Sequence, residues 1–179
     1  MIEALLRAFL FWYNNNDFRE VVLMNEFDLV NLLMEKNYHI TTAESCTGGL
    51  VSSSIVNVPD ASKVLKEAYV TYAAESKTAI LGVDPMTIEK YNVVSEEVAK
   101  EMAFGAKLRA NADVAISITG MAGPSSDGII EVGTVCFGVV TNSTYKTVTK
   151  KFGNLGRNVV RAKAAIFAIE FAYQVLKDE

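Results

Sequence analysis

Apolar positions recur at two spacings along this chain, and the changes between them mark its elements. In residues 25–36, Phe27, Val30, Leu33 and Met34 fall at helical spacing, and Asn37 supplies a stop. Residues 38–43 read as a strand with His39 near its start, and residues 50–56 as a helix. After a loop at 57–60 and a short helical turn within 62–66, residues 67–72 are β-prone. Residues 73–81 read as a helix closed by Gly82, Asp84-Pro85 opens a short helix ending near Tyr91, and Ser95 caps a helix running to about Ala110. A buried-strand pattern at 112–118 ends in the loop Thr119-Gly120-Met121-Ala122-Gly123-Pro124, followed by a polar turn at 125–131. Residues 132–141 and 144–152 form a hairpin about Asn142-Ser143, and Gly153 to Gly156 open a last helix to about Leu176. This alternation predicts an α/β fold, a three-layer α/β/α sandwich around a mixed, mostly parallel sheet.

The first residues change that picture little. Residues 1–13 are apolar but contain Glu3 and Arg7, are too short to span a bilayer, and lack the basic start and cleavage site of a signal peptide. Asn14-Asn15-Asn16-Asp17 separates them from the rest of the chain. Residues 1–24 therefore read as an N-terminal extension, helical and amphipathic, packing on the domain or on a partner subunit. Alternatively they lie upstream of an ordinary start at Met24. A single domain is expected over residues 25–179.

Composition narrows the chemistry. Half of the 179 residues are hydrophobic and 21% are charged, and the net charge of −4 gives no support for broad nucleic-acid binding. The two cysteines, Cys46 and Cys136, make neither a disulfide framework nor a metal-ligand spacing, and one histidine leaves little for a zinc site. A Ser-His-Asp triad would need His39, which sits at the far end of its strand from Ser45. The expectation is a cytoplasmic protein with no metal, no cofactor and no membrane contact, and the apolar last helix makes a homo-oligomer the expected assembly.

Three loops follow predicted strands: the turn at Ser45, the turn at Tyr72, and the loop at Thr119. In open α/β sheets ligands sit beyond the carboxyl ends of strands, so Ser45, Tyr72, Lys77 and Thr119 can converge at one rim. A serine can serve as nucleophile without histidine if a lysine, here Lys77, is desolvated enough to act as its base. Backbone N–H groups near Cys46 and Thr47, at the start of the following helix, suit an oxyanion, and Gly48 and Gly49 let the backbone approach a ligand. Arg157 can meet a phosphate or carboxylate. Position alone leaves each residue a second reading: Ser45 as an N-cap, Lys77 on a solvated face, Thr119 in a tight turn, Arg157 in a surface ion pair, and Cys46 as a small buried residue.

Five motifs in order carry a family resemblance. Ala43-Glu44-Ser45-Cys46-Thr47-Gly48-Gly49, Val70-Thr71-Tyr72 with Glu75 and Lys77, Ile118-Thr119-Gly120-Met121-Ala122-Gly123-Pro124, Val132-Gly133-Thr134-Val135, and Gly156-Arg157 with Val160-Arg161 resemble the CinA C-terminal-domain family. The resemblance covers residues 25–176. It implies nicotinamide mononucleotide deamidase activity, releasing nicotinic acid mononucleotide and ammonia by a metal-free Ser-Lys route. Carried onto this sequence, Ser45 is the nucleophile and Lys77 its base, with Tyr72 and Thr119 positioning groups at the amide. Substrate contacts fall to Cys46, Thr47, Gly48, Gly49, Gly120, Ala122, Gly123 and Arg157. The chain departs from the family pattern at Ala73-Ala74, where members often carry Ser-Asn, and at Ile130-Glu131, where they carry Lys-Pro. Those departures motivate a rival expectation, a nucleotide-binding or adaptor module without turnover, tied to competence or DNA-damage responses.

Overall fold

A computed structural model describes residues 18–125 and 128–179, with side chains from Glu26 onward. The apolar segment at 1–13 and the Asn-Asp break at 14–17 lie outside the described residues, as do two residues of the polar turn, 126 and 127. In chain order the elements are α1 (Phe18–Lys36), β1 (Ile40–Glu44), α2 (Leu50–Val56), β2 (Leu65–Val70), α3 (Ala74–Leu81), α4 (Pro85–Tyr91), α5 (Glu96–Ala110), β3 (Val114–Gly120), β4 (Thr134–Val140), β5 (Tyr145–Lys151) and α6 (Arg157–Lys177).

The five strands form one sheet in the order β2-β1-β3-β4-β5. β1 pairs in parallel with β2 and β3, whereas β3–β4 and β4–β5 are antiparallel, so four of the five strands run one way. β1, β3 and β4 are buried along nearly their whole length, while the edge strands β2 and β5 are largely exposed. The edges are charged, with Lys66 and Glu67 on one and Lys146, Lys150 and Lys151 on the other, which discourages further pairing.

Alternation along the central strands sorts residue size between the two faces. Val114, Ile116, Ile118, Val135, Phe137 and Val139 point to one face, where they meet Leu29, Leu33, Val51, Ile55, Val160, Ala164 and Ala168 of α1, α2 and α6. The opposite face presents Ala43 and Ala115 to Val98, Met102, Ala103 and Ala106 of α5. Small residues there bring α5 close: a Cβ on Gly138 would lie 2.9 Å from the Ala99 carbonyl oxygen, and the Ser117 hydroxyl donates to that same carbonyl. α3 and α4 pack outside α5, completing the third layer.

Most predicted elements lie where the pattern puts them, with two differences of consequence. α1 begins at Phe18 rather than at Asn25. β3 extends to Gly120, past the predicted end at Ile118, because Thr119 and Gly120 pair with Cys136 and Val135 of β4. Gly120 is required there, since a Cβ would come within 2.8 Å of Val135 Cγ2. Among the described residues no helix is long and apolar enough to cross a membrane.

From β1 the chain goes to β2 on one side and returns to β3 on the other. The carboxyl end of β1 is therefore a point where strand order reverses, and such points open a crevice in α/β sheets. Ser45 is the residue immediately after β1.

Candidate active site

Ser45 leaves β1 still tied to the sheet, its N–H donating to the Ile118 carbonyl at 2.9 Å. The chain then closes a β-turn, with the Gly48 N–H donating to the Ser45 carbonyl at 3.1 Å. Gly48 and Gly49 both have positive φ, 60° and 96°, which explains two consecutive glycines before α2. Ser45 is thus not the helix cap; Gly49 occupies that position and offers no side chain.

The positive end of α2 has a different occupant from the one expected. Glu44, fully buried, folds forward and accepts from the N–H groups of Gly49 (2.9 Å), Val51 (3.2 Å) and Ser52 (2.9 Å). The Thr42 hydroxyl donates to the same carboxyl group at 3.3 Å. The amides of Gly49, Val51 and Ser52 are therefore committed to the protein and not offered to a ligand. Each carboxyl oxygen takes two donors, so an amide NH₂ in either place would face donors. Glu44→Gln is expected to cost about 1–3 kcal/mol of stability, measured by urea unfolding; an unchanged midpoint would refute this account of the cap.

Lys77 reaches the same end of β1 from α3. It is 0% exposed, and its Nζ lies 3.1 Å from Ser45 Oγ. The same amine donates to the carbonyls of Thr71 at 2.7 Å and Tyr72 at 3.4 Å. Burial pushes its pKa down from 10.5 to about 8, opposed by the neighbouring Cys46 and then by Glu75. The two side chains come from positions 45 and 77 and meet because β2 lies beside β1 and α3 folds back over its end. Neither is on a solvated face.

Ser45 opens into a cavity of about 300 Å³ whose wall includes Cys46, Tyr72, Thr119, Gly120, Ala122, Gly123 and Arg157. Tyr72 is 60% exposed at the rim, and its hydroxyl accepts from Arg157 at 2.8 Å. Arg157 also donates to the Gly123 carbonyl at 2.8 Å, so α6, the loop after β3 and the Tyr72 turn are joined across the mouth. Thr119 is buried, and its hydroxyl donates to the Val93 carbonyl at 2.8 Å, which anchors the connection before α5 as one wall. Cys46 is also buried, and desolvation raises its thiol to about 11, leaving it protonated near neutrality.

Of the residues expected to contact substrate, Thr47, Gly48 and Gly49 do not line this cavity. The turn carries them toward α6, where Arg161 donates from Nε to the Cys46 carbonyl and from a terminal nitrogen to the Thr47 carbonyl, both at 2.9 Å. His39 lies at the opposite end of β1, beside Asp113, at 3.6 Å. Val93, Val94, Met121 and Ser125 complete the wall and carried no chemical signal in sequence. Among the described residues no group of three or more His, Cys, Asp or Glu is placed to hold a metal ion.

Comparison with known proteins agrees with this architecture. A CinA-like protein of Kosmotoga olearia is 47% identical over 151 residues, covering 83% of this chain and 36% of that protein. One of Chlorobaculum tepidum is 50% identical over 115 residues, 63% of this chain and 27% of that protein. The chain thus spans about a third of the length of the curated relatives it matches. Among solved structures, a CinA superfamily protein from Klebsiella pneumoniae superposes with a TM-score of 0.85 at 29% identity, covering 88% of this chain and 99% of its own. One from Escherichia coli gives 0.78 at 36% identity, covering 85% and 89%. The model of the CinA C-terminal domain matches residues 24–176, and the chain belongs to that family.

Proposed function

We propose that this chain hydrolyses the carboxamide of nicotinamide mononucleotide to nicotinic acid mononucleotide and ammonia, with Ser45 as nucleophile and Lys77 as its general base. The observation that carries the reading is a fully buried amine 3.1 Å from a serine hydroxyl at the floor of a cavity. Among the described residues, no ion pair joins Lys77 to a carboxylate. The choice of substrate rests on the family resemblance and on the cavity's polar groups.

The contacts of Lys77 suit a proton that must move. A neutral amine has two N–H bonds for the Thr71 and Tyr72 carbonyls and one lone pair for the Ser45 hydroxyl. The ammonium has three N–H bonds for the same three oxygens. Taking the serine proton therefore requires no reorientation of the side chain. Ser45 Oγ attacks the carboxamide carbon, and the Cys46 N–H, in the cavity wall, receives the oxyanion. That N–H donates to no backbone carbonyl among the described residues. Lys77 returns its proton to the leaving nitrogen and ammonia departs. Water then attacks the acyl-enzyme, giving a proton to Lys77, which passes it to the Ser45 oxygen as the carboxylic acid leaves.

At the rim, the exposed ring of Tyr72 offers a face to a cationic pyridinium. Arg157 has N–H donors left after Gly123 and Tyr72 are satisfied, and a phosphate can take them. The Thr119 oxygen, having given its proton to Val93, still accepts and can hold the amide NH₂.

Ammonia release from nicotinamide mononucleotide tests the proposal, with calorimetric titration of the same ligand beside it. Turnover is expected; binding without ammonia would favour a nucleotide-binding module instead. The pH profile gives a second check. Lys77 must be neutral to act, so kcat/KM should rise tenfold per pH unit up to about 8 and level off above it. A flat profile from pH 6 to 9 would remove Lys77 from the base role.

A further inference from the structure

Arg161 touches neither the cavity nor Lys77, yet it grips the nucleophile turn with two hydrogen bonds. In a trans peptide the N–H of one residue points opposite to the carbonyl of the residue before it. The Cys46 N–H is therefore aimed by whatever holds the Ser45 carbonyl, and the Gly48 N–H does so within the turn. The Gly48 N–H is in turn aimed by whatever holds the Thr47 carbonyl, and that partner is a terminal nitrogen of Arg161. Nε of the same fork holds the preceding carbonyl, Cys46, and so prevents the turn from pivoting about the first bond. The central peptide of a β-turn is the one whose rotation separates the common turn types, so this grip falls where freedom is greatest.

We propose that Arg161 is a positioning residue for the oxyanion donor: by clamping the Cys46 and Thr47 carbonyls it fixes the turn that aims the Cys46 N–H at the cavity. The inference rests on the nucleophile assignment above but not on the choice of substrate. Lysine cannot replace Arg161, because one ammonium does not present a planar pair of donors to successive carbonyls.

Labelling of Ser45 by a fluorophosphonate, followed by mass spectrometry, tests the clamp without an amide substrate. In that reaction the Ser45 Oγ–phosphorus bond forms, the phosphorus–fluorine bond breaks, fluoride leaves, and Lys77 takes the serine proton. Arg161→Met should slow labelling by about a hundredfold, the loss typical of one oxyanion donor. Arg161→Lys should be slowed nearly as much. In both, the rise of labelling with pH should keep its midpoint, because Lys77 is untouched, and added guanidinium should restore part of the rate in Arg161→Met. Melting temperature is read alongside, and Arg161→Lys serves if the methionine protein does not fold. Folded variants labelled as fast as wild type, or a shifted midpoint without guanidinium rescue, would overturn the inference alone. Wild-type protein unlabelled at Ser45 would overturn it together with the nucleophile assignment. Slow labelling in the variants with no ammonia from nicotinamide mononucleotide would leave the clamp standing and remove only the proposed substrate.

Discussion

Replacing Ser45 with alanine should lower kcat for ammonia release by about a thousandfold or more, while the protein still binds nicotinamide mononucleotide. The substitution removes one oxygen and leaves the turn intact, because that turn is held by backbone bonds from Ser45 and Gly48 and by Arg161. Lys77 keeps its two carbonyl partners. Loss of turnover with retained binding therefore reports on the nucleophile and not on folding. Groups that act as a unit are not additive, so the double variant Ser45→Ala, Lys77→Met should be no slower than either single one. Full activity in the Ser45→Ala protein would end the acyl-enzyme account. A tenfold loss would point to water activated directly by Lys77, with Ser45 only orienting it.

The fold is more legible in the sequence than the site is, for identifiable physical reasons. Hydrophobic period and turn residues are local, and they place Ser95 as the cap of α5 and Gly82 after α3, where both are found. The convergence of Ser45 and Lys77 is not local. It depends on β2 lying beside β1, and the five motifs point to it where spacing alone leaves Lys77 readable as a solvated residue. Two features mislead because one side chain can satisfy groups that look free in sequence. Glu44 closes the end of α2 that reads as open to anions. Thr47, Gly48 and Gly49 resemble a ligand loop but turn toward Arg161, which the fifth motif contains without pointing to its partners. An acidic residue just before a glycine pair and a short uncapped helix is the pattern that could have exposed the first error.

Lys77→Met should abolish turnover to the same degree as loss of Ser45, yet change stability in a way that depends on pH. The folded protein holds this lysine near 8 and the unfolded chain near 10.5, because burial penalises the charged form. Between those values the unfolded chain binds a proton that the folded one does not, so this group makes wild-type stability rise with pH across that window. Below it, both states are protonated and the folded state carries the full cost of a buried ammonium, on the order of 3 kcal/mol. Methionine has a similar length and no charge to bury. The Thr71 and Tyr72 carbonyls would lose a donor, but that loss does not depend on pH. The stability difference between the two proteins should therefore move in favour of wild type by roughly 3 kcal/mol between neutral pH and about pH 10. Urea unfolding of both proteins at several pH values measures it, and exposed titrating groups cancel in the comparison. A difference that stays constant with pH would mean that Lys77 is not held at a depressed pKa. The proton acceptor for Ser45 would then have to be sought elsewhere, even if the Met variant were inactive.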